Sequence, residues 1–99
     1  MARYRITKKA AIDLANIWSY TVDNWSETQA DSYYRMLLDN CQDICDRKAP
    51  GRQYDGIYAD LLGHKAGKHI IFYQEINPGV VDIIRILHER MDLKRRIID

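Results

Sequence analysis

Apolar and polar positions along this chain change period twice. Ala10, Leu14, Ile17 and Trp18, with Thr21 closing the stripe, recur at the 3.6-residue period of an amphipathic helix. Thr7 offers a side-chain acceptor to the first free N–H groups of that helix, so it is expected to cap it, after a short alternating strand at Tyr4-Arg5-Ile6-Thr7. Lys8 and Lys9 then sit at the positive end of the helix dipole and are expected to be solvated. Asn24-Trp25-Ser26 breaks the stripe, and Ser26 with Gln29 forms a capping box that starts a second helix. Its stripe is Ala30, Tyr33, Tyr34, Leu37, Leu38, Cys41, Ile44 and Cys45, and it is expected to stop at Ala49-Pro50-Gly51. So short a link between two amphipathic helices predicts an antiparallel hairpin.

The second half of the chain reads as strands. Residues 51–56 are expected to be loop, Ile57 to Leu62 a weak strand and Gly63 to Gly67 a turn. His69 to Ile76 and Val80 to Leu87 are strands joined by a tight turn at Asn77-Pro78-Gly79. Glu89 to Asp99 is expected to form a short helix carrying Met91, Ile97 and Ile98. The order β-α-α-β-β-β-α, with helices early and strands late, predicts an α+β domain over residues 1–99. In it a small, mainly antiparallel sheet carries the helical hairpin on one face.

The Asn77-Pro78-Gly79 turn suggests a register in which Ile76 faces Val80, Gln74 faces Asp82, Phe72 faces Ile84 and Ile70 faces Ile86. On that register Ile70, Phe72, Ile84 and Ile86 pack on the helices. His69, Ile71, Tyr73 and Glu75 then share the outer face with Leu87, Arg85, Ile83 and Val81. Arg85 stands among aliphatic residues and needs water or a partner there. It either pairs with an acid such as Glu75 or marks an open functional surface.

Charge narrows the function. Fifteen basic residues balance 14 acidic ones for a net charge of +1, without the basic excess usual in a protein that binds nucleic acid unaided. The last fifteen residues are nevertheless locally basic. No apolar run approaches the roughly 20 residues that span a bilayer, and Met1-Ala2-Arg3-Tyr4-Arg5 lacks a leader-like apolar stretch, so a cytoplasmic protein is expected. Cys41 and Cys45, one helical turn apart, read as buried thiols in a reducing compartment. No phosphate loop, metal motif or catalytic triad stands out, so neither metal nor cofactor is expected. An arginine and histidine pair, Arg85 and His88, could in principle hold a phosphate and move a proton.

Taken together, the segments resemble the ParE-type toxins of the RelE/ParE superfamily. Ala10-x-x-Asp13-Leu14-x-x-Ile17-Trp18-x-Tyr20-Thr21 resembles their first helix. Gln29-Ala30 with Tyr33 and Leu37 is similar to their second, and His69-Ile70-Ile71-Phe72-Tyr73 to their central strand. Ile84-Arg85-Ile86-Leu87-His88-Glu89-Arg90-Met91-Asp92 resembles their closing motif. The resemblance implies a RelE/ParE-like fold and a toxin held inactive, in a hetero-oligomer, by a ParD-type antitoxin. It implies DNA gyrase as the target, with DNA reached only through the antitoxin. The cousin activity within the superfamily is ribosome-dependent cleavage of messenger RNA, for which Arg85 and His88 would be the working residues.

On that basis the antitoxin is expected on the aromatic surface of the hairpin, Trp18, Tyr20, Trp25 and Tyr34. A second expected contact is strand addition near Tyr58 and Leu61. The target is expected at Arg85, His88, Arg90, Lys94, Arg95 and Arg96, a basic surface that an acidic antitoxin segment could mask.

Overall fold

A computed structural model describes residues 3–48 and 51–98. Strand β1 (Arg3–Ile6) leads into helices α1 (Lys8–Asn24) and α2 (Glu27–Cys45). Strands β2 (Arg52–Gln53), β3 (Leu62–Ala66), β4 (His69–Asn77) and β5 (Val80–His88) follow, and helix α3 (Leu93–Ile98) closes the described chain. They form an α+β domain around a five-stranded sheet in the order β1-β5-β4-β3-β2. Only the β1–β5 pairing is parallel; β2, β3, β4 and β5 pair antiparallel in sequence order.

The helices begin where the capping residues predict. The Thr7 hydroxyl accepts from the Ala10 N–H at 3.2 Å and donates to the Ile84 carbonyl at 2.9 Å, so one side chain starts α1 and ties it to β5. Ser26 Oγ accepts from the Gln29 N–H at 3.0 Å. Helix α2 stops earlier than its sequence suggests. Arg47 takes a left-handed φ of 58°, the Lys48 N–H bonds the Asp43 carbonyl and the Arg47 N–H bonds the Ile44 carbonyl. That pair of bonds is a Schellman closure, with arginine in the place glycine usually takes. Ala49 and Pro50, the expected stop, lie outside the described residues.

Strand boundaries in the middle of the chain differ from expectation. Residues 54–61 form a looping segment rather than a strand, and Gly63 to Ala66, expected as a turn, pair with β4. Gly63 pairs with Phe72, and the position suits glycine because Tyr54 packs over it; a Cβ there would come within 2.6 Å of the ring. The true turn is Gly67-Lys68, where Gly67 has a φ of +61°, a conformation that glycine adopts without strain.

At the turn Asn77, not Ile76, faces Val80, with an irregularity between Glu75 and Asn77; the expected β4–β5 register then holds from Glu75 to Tyr73 and slips again. Gln74 faces Asp82 as expected, but Ile84 is inserted opposite the Phe72/Tyr73 step, so Phe72 faces Arg85, Ile71 faces Ile86 and Ile70 faces Leu87. Beyond such a bulge every pairing moves by one residue. The expected division into one core face and one open face is also corrected, because both faces are covered. Ile71, Tyr73, Val81, Ile83 and Ile86 pack under the hairpin with Leu14, Leu37 and Cys41. Ile70, Phe72 and Leu87 lie in a second cluster with Leu61 and Ile97, flanked by Tyr54, Tyr58, Ile84 and Leu93. The two faces are thus exchanged: the hairpin covers Ile71, Tyr73, Val81 and Ile83, which were expected to be open, and loop 54–61 with helix α3 covers Ile70, Phe72 and Ile84, which were expected to meet the helices.

Covering the second face makes it a core in the energetic sense. Phe72 is fully buried. Phe72→Ala should cost about 3–5 kcal/mol, a large share of the stability of a domain this size. Urea unfolding followed by circular dichroism checks this, and a cost below about 1 kcal/mol would mean that loop 54–61 and α3 do not seal this face.

Candidate functional site

Two surfaces collect the residues singled out in the sequence. The first is a groove on the helical hairpin. Ile6, Leu14, Trp18 and Tyr34 line it together with Ala11 and Ala15, enclosing about 600 Å³. The small side chains on α1 open the space that the rings wall. Trp18 Nε1 donates to Asp31 Oδ1 at 2.9 Å, which fixes the indole and locks α1 to α2. Tyr20 and Trp25 are strongly exposed, at 66% and 71%, and do not line this groove. Two residues along a helix is about 200° of rotation, so Trp18 and Tyr20 face nearly opposite ways. Tyr58 and Leu61 are not on a sheet edge. Leu61 is fully buried and Tyr58 packs on the second cluster, so the edge-strand expectation for both is corrected.

The second surface lies where β5 runs past the end of β1. Pairing between them ends at Ile6 and Ile83. Beyond it Asp13, on α1, takes over as the acceptor a longer β1 would have supplied, and Asp13 Oδ2 accepts from the Ile86 N–H at 3.0 Å. The same carboxylate grips Arg85 in a fork: Nε donates to Oδ2 at 2.7 Å and Nη2 to Oδ1 at 2.9 Å. Arg85 Nη1 donates to the Arg96 carbonyl at 2.6 Å. The hydrogen bond to Asp13 raises the Arg85 pKa above its ordinary value, helped by the Asp13 charge and opposed by burial. Its side chain is 15% exposed and that of Asp13 11%. Arg85 therefore has an acid partner and does not stand on an open face. The partner is Asp13, while Glu75 pairs with Arg47.

His69 and His88 face each other across β4 and β5, with rings edge-on at 5.3 Å. The Tyr33 hydroxyl lies 2.6 Å from His69 Nδ1 and accepts from the Lys68 N–H at 3.1 Å. The tautomer of a neutral His69 that carries its proton on Nε2 lets Nδ1 accept the Tyr33 O–H while the phenol oxygen accepts from Lys68. Burial first, then neighbouring His88, pushes His69 down to about 4. His88 Nδ1 accepts from the Arg90 N–H at 3.1 Å. Arg85 and His88 are three residues apart on a regular stretch of strand, so they leave opposite faces of the sheet and do not converge on one phosphate.

Helix α3 turns Ile97 inward, with Leu93 beside it, and leaves Lys94, Arg95 and Arg96 exposed. Arg90 is exposed as well, and His88 is half-buried. Four of the six residues expected at the target surface are thus on the outside, His88 is partly so, and Arg85 lies behind them. Asp13 and Tyr33 were missed as parts of this region. The signal for Asp13 was available: it falls three residues after Ala10 and four before Ile17, on the buried stripe, where a charge needs a partner.

Burial pushes the Cys41 thiol up to about 12, and both cysteines are free and buried. Among the described residues no group of three or more His, Cys, Asp or Glu side chains is placed to hold a metal, and no helix is long and apolar enough to cross a membrane.

Comparison with known proteins bears on this geometry. A family model described as the ParE toxin of the type II toxin–antitoxin system parDE matches residues 4–93. The chain is 36% identical to Toxin ParE1 of Mycobacterium tuberculosis, over 97% of this chain and 98% of that protein. It is 32% identical to Toxin ParE1 of Caulobacter vibrioides, over 98% and 99%. Its fold matches a solved chain of the chromosomal ParDE TA system from P. aeruginosa with a TM-score of 0.74 at 16% identity, covering 89% of this chain and 96% of that one.

The His69 environment sets a pH response. Between pH 6.5 and about 4 the unfolded chain takes up a proton at His69 that the folded protein refuses. Stability should therefore be complete above that window and fall as the solution is acidified through it. Urea unfolding across the window should show a steeper acid-side loss for the wild type than for His69→Gln; equal slopes would contradict a neutral, buried His69.

Proposed function

The chain belongs to the ParE toxin family of type II toxin–antitoxin systems, and from that premise we propose that it poisons DNA gyrase by binding and is neutralised by a ParD-type antitoxin. The observation that carries the binding mode is α3. Leu93 and Ile97 anchor it while Lys94, Arg95 and Arg96 face outward beside Arg90. A charged surface held on a fixed element suits docking on a large partner. The nuclease alternative draws less support, because Arg85 is committed to Asp13 and points away from His88. In this reading the protein is not an enzyme and works in the cytoplasm, where gyrase and the antitoxin are found. It meets DNA only through those partners.

The antitoxin has a natural seat in the hairpin groove. Its walls, Ile6, Leu14, Trp18 and Tyr34, suit the apolar side of an amphipathic segment. The solved relative from P. aeruginosa is itself a ParDE system, which supports a partner of this class.

Purified protein added to gyrase should inhibit supercoiling and accumulate cleaved DNA, and a ParD-type antitoxin should reverse both. Ala15→Arg, which fills the groove from an exposed helical position, should weaken that reversal by at least about tenfold while leaving poisoning intact. Gyrase unaffected at stoichiometric excess, or cut messenger RNA without DNA breaks, would replace this reading.

A further inference from the structure

We infer that Asp13 is a positioning residue: through the Arg85 guanidinium it fixes α3, and with it the basic surface that Proposed function assigns to the target, a reading on which this inference rests. Three bonds make the connection. Asp13 holds one edge of the guanidinium through Nε and Nη2, at 2.7 and 2.9 Å. Because the group is planar and rigid, fixing that edge aims Nη1, which meets the Arg96 carbonyl at 2.6 Å. Asp13 is itself held by the Ile86 N–H, so the chain of contacts is anchored on the sheet.

Helix α3 needs such an anchor. It has six residues, far below the length at which a helix holds itself in water. Its last carbonyls lack partners within the helix, and Arg96 supplies one of them. Its apolar hold is Ile97, buried, and Leu93, partly buried. The basic residues Lys94 and Arg95 flank the same turn, so freeing the Arg96 carbonyl lets the surface they form wander. No contact between Asp13 and the target is needed for this role. Arg85 is likewise reassigned from touching the target to holding the element that does.

Two variants of the full chain test this. Arg85→Lys keeps a cation for Asp13, but an ammonium cannot span from the carboxylate to Arg96. Asp13→Asn keeps an oxygen for Ile86 but sets an amide donor against the guanidinium. In both, amide exchange across 93–98 should quicken by at least about tenfold while that of β4 is unchanged, and gyrase affinity should fall by at least about fivefold with antitoxin affinity kept within about twofold. Unchanged exchange in α3 overturns the inference. So does equal quickening in β4 and α3, or equal loss of gyrase and antitoxin binding, since a general structural role would give either. Should one variant fail to fold, the other decides. Wild-type protein that leaves gyrase untouched refutes the target reading, and the exchange and antitoxin arms still decide whether Asp13 and Arg85 fix α3.

Discussion

Strand β5 parts from β1 at Ile83, and beyond that point the Thr7 hydroxyl takes the Ile84 carbonyl and a carboxylate on α1 takes the Ile86 N–H. Asp13 accepts from Ile86, clasps Arg85 and, through it, reaches the last turn of α3. The rest of the layered arrangement follows from that point. The Ile84 bulge puts Arg85 opposite Phe72, Thr7 ties the start of α1 to the bulge, and α3 closes over Phe72 and Leu87. A central sheet with both faces buried needs something at each of its faces, and here one charged pair joins the covers.

The two exposed surfaces sit on elements that this pair connects. The groove uses α1 residues that follow directly on Asp13, namely Leu14, Ala15 and Trp18, while the basic surface is carried by α3. Each is built on a rigid backing: Trp18 is pinned by Asp31, and α3 by Leu93, Ile97 and Arg85. Pre-set surfaces lose less freedom on binding than mobile ones, which suits the docking roles proposed for them.

Buried polar groups in this domain are consistently matched. Tyr33 satisfies the Lys68 N–H and pairs with His69 Nδ1, while His88 takes the Arg90 N–H. Among the described residues no buried side-chain nitrogen or oxygen lacks a partner. Burial and neighbouring His88 hold His69 neutral, and Arg85's donors are shared between Asp13 and the Arg96 carbonyl, so neither side chain stands unpartnered.

Much of the frame was legible along the chain because its signals are local. The stripes at Ala10–Thr21 and Ala30–Cys45, the caps Thr7 and Ser26, and the strands after His69 and Val80 each depend on residues a few positions apart. The closing motif around Ile84 to Asp92, with those segments, was enough to place the chain beside the ParE toxins. The run Ile70-Ile71-Phe72-Tyr73 already carried apolar residues for two faces, though only one cover was expected.

What only the tertiary structure decided are matters of partner and side. Alternation along β4 says that two faces exist but not which one meets the helices, and the inserted residue at Ile84, which puts Ile86 on the same face as Ile83, is announced by nothing in its neighbours. Gly63 reads as a turn until Tyr54 is packed over it, and Leu61 reads as strand until the loop folds inward. Whether Arg85 meets water, a target or an acid depends on Asp13, 72 residues earlier in the chain. Sequence periodicity records which positions are buried. It does not record what buries them, because that contact is made by residues distant in the chain whose approach is set by the whole fold.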